Sequence, residues 1–158
     1  MGGPDSTGCS VPTFRGVDGG ARLRFGQRWW IGAVGTLGWS PEVLEGVSRR
    51  FWSVAAQGLV SLAPRASLEP LAGVELGVAG IRDSLEGGNE VTQAGYLAAA
   101  LAGLRVGVAG PLSVSVQTRA VVLAFGSDPP PLGDGLRATE YGLGPWFSVA
   151  AGVILRLD

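Results

Sequence analysis

The chain has 158 residues, the size of one domain. Its 12 basic residues, all Arg, offset 13 acidic ones to a net charge of −1 without any basic run, which excludes a nucleic-acid-binding surface. Charged residues are only 16% of the chain, against about 25% in ordinary soluble domains, and mean hydropathy is +0.31, yet no apolar run approaches the ~18 residues of a transmembrane helix.

The opening "MGGPDSTG" has neither the basic nor the apolar region of a signal peptide. "STGCS" around Cys9 lacks the upstream apolar run of a lipoprotein signal, and one cysteine allows no internal disulfide, so Cys9 reads as a free thiol. Residues 1–18 are read as an irregular segment and 19–158 as a single β domain.

Seven segments then alternate apolar and other residues with the period of a two-faced strand. Gly19–Phe25 sets Ala21, Leu23 and Phe25 against Arg22 and Arg24. Trp29–Trp39 carries Trp29, Ile31, Ala33, Leu37 and Trp39 on one face. Phe51–Leu62 sets Trp52, Val54, Ala56, Val60 and Leu62 against Ser53, Gln57 and Ser61. Ser67–Ile81 sets Leu68, Ala72, Val74, Leu76 and Val78 against Glu69 and Glu75. Val91–Val108 sets Tyr96, Leu104, Val106 and several alanines against Gly103, Arg105 and Gly107. Its "YLAAALAGL" core has helical propensity, but Gly95, Gly103, Gly107 and the strand-like neighbours favour a strand. In Pro111–Gly126, Leu112, Val114, Val116 and Val122 oppose Ser113, Ser115, Gln117 and Arg119. Trp146–Leu157 sets Phe147, Val149, Val153, Leu155 and Leu157 against Ser148, Gly152 and Arg156.

Connections alternate in length. Gly26–Arg28, Ala63–Ala66 and Ala109–Pro111 are short, whereas Ser40–Arg50, Arg82–Glu90 and Ser127–Pro145 are long and polar. In an antiparallel meander the short turns share one end and the long loops the other. The non-apolar face is poor in charge, and its charges oppose one another: Arg22, Arg24, Arg105, Arg119 and Arg156 against Glu69 and Glu75, with Gln57 and Gln117 among them. Small residues beside mutually neutralising long ones suit a narrow barrel interior, where an unpaired charge is costly. The other face is uncharged and carries Trp29, Trp39, Trp52, Tyr96 and Phe147 near strand ends, in the manner of an interfacial aromatic girdle. The sequence therefore predicts an all-β, antiparallel up-and-down transmembrane β-barrel with seven visible strands of an expected eight. Its inner network comprises Arg22, Arg24, Gln57, Glu69, Glu75, Arg105, Gln117, Arg119 and Arg156. Val121, Leu123 and Phe125 break the polar pattern and are read as a small apolar plug beneath the longest loop.

On these strands the chain resembles the small outer-membrane β-barrel proteins of Gram-negative bacteria, the eight-stranded OmpA/OmpX-like class. The closing "AAGVILRL" places Gly152, Leu155 and Leu157 in register with that class's C-terminal assembly signal; Ala150 departs from its polar first position and Asp158 from its terminal aromatic. The resemblance implies an outer-membrane location, contact with the lipid bilayer and the assembly machinery, and a strand and signal peptide encoded upstream of Met1. "CSVPTFR" offers a poorer eighth strand because of Pro12.

The absence of histidine removes Ser–His–Asp, Cys–His and His-metal chemistry. No phosphate-binding loop follows a strand. Glu69 and Glu75 stand six residues apart on one strand, about 20 Å, too far for paired-carboxylate glycoside chemistry. No enzyme activity, cofactor or metal is expected. The leading expectation is a non-enzymatic envelope protein acting through the segments 40–50, 82–90 and 127–145 in integrity, adhesion or complex anchoring. A small pore or lipophile carrier, and a soluble calycin-type ligand-binding barrel, are the alternatives.

Overall fold

Segments with one apolar and one mixed face leave every backbone amide in need of a neighbour, and short connections bring consecutive segments together antiparallel. A computed structural model of the chain describes residues 15–44, 47–64, 66–85, 88, 90–109, 112–125, 131–132, 136–137 and 146–155, none of them helical. The strands are β1 (Arg15–Phe25), β2 (Trp29–Leu44), β3 (Val47–Ser61), β4 (Leu68–Leu85), β5 (Glu90–Ala109), β6 (Leu112–Phe125), β7 (Pro131–Leu132), β8 (Leu136–Arg137) and β9 (Trp146–Leu155). Seven pair in the order β1-β2-β3-β4-β5-β6-β9, all antiparallel, as one curled sheet. β7 and β8 pair only with each other. The all-β meander is as the sequence predicts, in the form of a half-barrel.

The Ala-rich fifth segment is a strand of 20 residues. Ladders on both sides, to β4 and β6, override its helical propensity. β1 begins at Arg15, four residues before the expected start, where Gly16 and Gly19 pair with Gly38 and Gly35 of β2.

The length alternation of the connections is corrected. β2 continues to Leu44 and β3 starts at Val47, so most of the expected loop 40–50 is strand. β4 runs to Leu85 and β5 from Glu90, which shrinks the expected loop 82–90 to 86–89. Pro41, Glu42, Asp83 and Glu90 made these stretches look like loops. They are strand ends that have left the apolar zone, where alternation stops carrying a hydrophobic signal while pairing goes on. At the opposite end β1 and β2 are joined at 26–28, where Gly26 takes a left-handed φ of +61° that favours glycine. There the amide of Ser61 donates to the Arg28 carbonyl (2.7 Å) and that of Leu62 to the Pro70 carbonyl (3.0 Å).

Candidate functional site

The two faces of the sheet carry the chemistry. Along β3, every second residue is buried and those between are exposed or half-buried. From Trp52 onward the outward set is the apolar one. Ile31, Leu37, Val54, Val74, Leu76, Val78, Leu104, Val106, Val122, Val149 and Val153 all lie open on the convex face. A contiguous apolar surface of this kind marks an interaction face. The five girdle residues sit on this same face: Trp29 (60% exposed), Trp39, Trp52, Tyr96 (72%) and Phe147 (85%). Register separates most of them. Trp29 pairs with Phe25 beside the short turn, whereas Trp39, Trp52 and Tyr96 lie toward the other end; Phe147, opposite Ala120, falls on the row of Ile31 between them. The Trp52 indole covers Gly80, its cross-strand partner; a Cβ there would collide with Nε1.

Outward-facing charge begins just past Trp52. Arg50 pairs with Arg82, and Arg82 donates to the Glu90 carboxylate, which it holds below the ordinary carboxylate range. On β3 the uncharged outward stretch runs from Trp52 to Val60. Eight strand steps span about 27 Å, or about 21 Å of height at a ~40° barrel tilt.

The concave face is layered. At the long-strand end Arg49 and Asp83, opposite one another on β3 and β4, form a bidentate pair at 2.6 and 2.9 Å with both side chains 1% exposed. Beneath lies an apolar layer of Val34, Phe51, Ala55, Ala79, Ile81, Leu97, Ala99 and Val121, with Leu123 against it. The middle layer is polar. Gln57 Nε2 donates to Glu75 Oε1 (2.5 Å), Arg119 reaches Glu75 (3.4 Å) and Asp18 (2.8 Å), and Arg22 Nη2 donates to Gln117 Oε1 (3.2 Å). The Asp18–Arg119 pair joins β1 to β6, well separated in the sheet order. It closes a chord across the curl.

A second apolar layer follows, of Trp30, Leu59, Leu71 and Leu101. At the short-turn mouth Arg105 and Arg24 stand over the Trp30 ring at 4.7 and 5.1 Å from its centre, within cation–π range. Both address Glu69, at 3.3 and 3.8 Å, and Arg105 Nε donates to Ser113 (3.1 Å).

Of the expected network, Arg22, Arg24, Gln57, Glu69, Glu75, Arg105, Gln117 and Arg119 face the concavity, divided between the middle layer and the mouth. Arg156 and Leu157 lie outside the described residues, as do Cys9 and the rest of "CSVPTF". Gly152 sits on β9 and Leu155 ends it. Four participants went unseen in the sequence: Asp18, Arg49, Asp83 and Trp30. Asp18 stood in the segment read as irregular, and Arg49 and Asp83 in segments read as loops. Trp30 was masked by its neighbour Trp29, which points the other way. The apolar layers were foreseen only at Val121 and Leu123; Val34, Phe51, Leu59, Leu71, Leu97 and Leu101 fall on the face read as polar.

Between β1 and β9 the concavity opens as a trough of about 1620 Å³, lined on one side by Arg15–Gln27 and on the other by Ser148–Val153. No family model, curated protein or solved structure matches the chain.

Proposed function

We propose that the chain is a non-enzymatic, outer-membrane-type β-barrel protein that holds paired-strand projections at a membrane surface for contact with an envelope or extracellular partner. The observation that carries this reading is the convex face. It is apolar over a height approaching the ~25 Å outward band of transmembrane barrels, edged by aromatics and then by Arg50, Arg82 and Glu90. A sheet closed into a barrel is one of two architectures admissible in lipid, so this reading requires the β1 and β9 edges to be covered. The layered interior supports an anchor over a pore: an ion following the axis meets two layers made largely of apolar side chains, which solvate it poorly. The contact surface on this reading is the β2–β3 and β4–β5 projections beyond Trp39 and Tyr96, together with residues 127–145.

Fractionation tests it. The chain is expected in the detergent-extracted membrane fraction, migrating differently in cold and boiled gel samples. A monomer that stays soluble and monodisperse without detergent would overturn the membrane reading in favour of a soluble β-barrel.

A further inference from the structure

β1 and β9 are the two edges of the sheet, and they run in the same direction. β1 enters at Arg15 beside Trp39 and leaves at Phe25 into the short turn; β9 enters at Trp146 beside Val121 and ends at Leu155 beside Leu112. Direct closure would require a parallel β1–β9 ladder in an otherwise antiparallel meander. A second copy meets the same obstacle. Two copies standing in one orientation bring β1 of one against β9 of the other, again parallel. A single strand running from the short-turn end toward Trp39 is antiparallel to both edges.

Neither "RGVDGGARLRF" nor "WFSVAAGVIL" contains proline or lysine, and neither ladder has a bulge, three of the devices that block strand addition; only β1 carries inward charge, at Asp18, Arg22 and Arg24. Both strands continue the apolar outward row, through Ala21, Leu23 and Phe25 and through Phe147, Val149 and Val153. Toward the trough they present small residues, Gly16, Gly20, Ser148, Ala150 and Gly152, beside Asp18, Arg22 and Arg24. The charge of the concave face is incomplete as well. Five inward guanidiniums (Arg22, Arg24, Arg49, Arg105, Arg119) meet four inward carboxylates (Asp18, Glu69, Glu75, Asp83) among the described residues. Arg22, on the edge strand itself, is the one of these five with no carboxylate of a described residue in ion-pair range.

We propose that the β1–β9 seam is a strand-accepting site. Its occupant is one amphipathic β-strand of about ten residues supplied by a separate polypeptide, running antiparallel to both edges, apolar outward, and carrying a carboxylate inward opposite Arg22. The proposal rests on the barrel reading above and supplies the chemistry of the segment that completes it. Main-chain hydrogen bonds to both edges give affinity, and the inward–outward alternation fixes register, since a one-residue slip turns every side chain to the wrong face.

The test uses the full chain with Cys9→Ser in detergent micelles and three synthetic eleven-residue strands. One has apolar outward positions and an inward Asp facing Arg22. The second replaces that Asp by Asn. The third is the first pattern shifted by one residue. Saturable one-to-one binding of the first is expected, with about fivefold weaker binding of the second, the step from a charge-assisted to a neutral hydrogen bond, and none of the third. Arg22→Gln is expected to erase the difference between the first two. An N-terminal cysteine on the strand is expected to cross-link to Gln27→Cys and not to Val17→Cys. If the chain reaches the folded, heat-modifiable form only when the first strand is present, that too supports the seam. Equal binding of the shifted strand, no binding by a folded chain, failure of any strand to bring a non-folding chain to the folded form, or a β1–β9 cross-linked dimer overturns it. Detergent partitioning of the same sample is scored separately, so a chain that partitions but takes no strand refutes the seam alone.

Discussion

Removing Asp83 gives the sharpest measurement of what holds the projecting strands. Arg49 and Asp83 are both almost fully buried and joined by two short bonds, so solvent screening relieves little of the loss. Deleting one member of such a pair leaves an ion in a poor dielectric and costs about 3–5 kcal/mol, a factor of roughly 10²–10⁴ in the folding equilibrium. With a urea m-value of about 2 kcal/mol/M, Asp83→Ala is expected to lower the unfolding midpoint by about 1.5–2.5 M, followed by tryptophan fluorescence in micelles. The double variant Arg49→Met/Asp83→Leu removes both charges and is expected to recover most of that loss, because an apolar pair of similar bulk is close to neutral against a buried ion pair. A loss under about 1 kcal/mol for Asp83→Ala, or no recovery in the double variant, would refute the idea that this pair clamps the β3–β4 projection.

Leu76→Arg places a charge near the middle of the convex band and is expected to cost about 2–4 kcal/mol in bilayers; a soluble fold would register within about 0.5 kcal/mol at so exposed a site. Gly80→Val displaces the Trp52 indole and is expected to destabilise by about 1–3 kcal/mol, less when combined with Trp52→Ala, as a double-mutant cycle of unfolding transitions reads out. Glu90 is expected to titrate below 4.5 by NMR, its largest influence being the hydrogen bond from Arg82, and Arg82→Met is expected to return the midpoint to the ordinary value. Because the folded pKa is depressed, the small contribution of that pair is present above pH 4.5 and disappears as pH falls through the lower folded value.

The convex face was legible because each outward residue announces itself locally: Trp52, Val54 and Ala56 need only their own spacing to be placed on one side. The interior was legible only in part. Glu69 and Arg105, like Asp18 and Arg119, lie far apart in the chain, so their meeting depends on ladder register and on the curl, neither of which the alternation encodes. Asp83 is the instructive miss. An acidic residue close to Glu86 and Gly87 carries a turn signal, and only the ladder to β3 shows that Asp83 lies inside, opposite Arg49. Trp30 failed for another reason. Two adjacent tryptophans on a strand must face opposite ways, and the one whose partners are Arg24 and Arg105 is named by contacts across the sheet, not by composition.

The odd number of main strands also sorts the two ends of the sheet's chain path. Arg15 enters the sheet beside Trp39, and Leu155 leaves it beside Leu112, at the other end of the strands. In a bilayer, a fluorescent or affinity label at Arg15 and one at Leu155 would report from opposite compartments. Vectorial labelling with an impermeant reagent therefore reads out orientation directly, and it assigns the Arg49–Asp83 projections to whichever compartment reaches the label at Arg15.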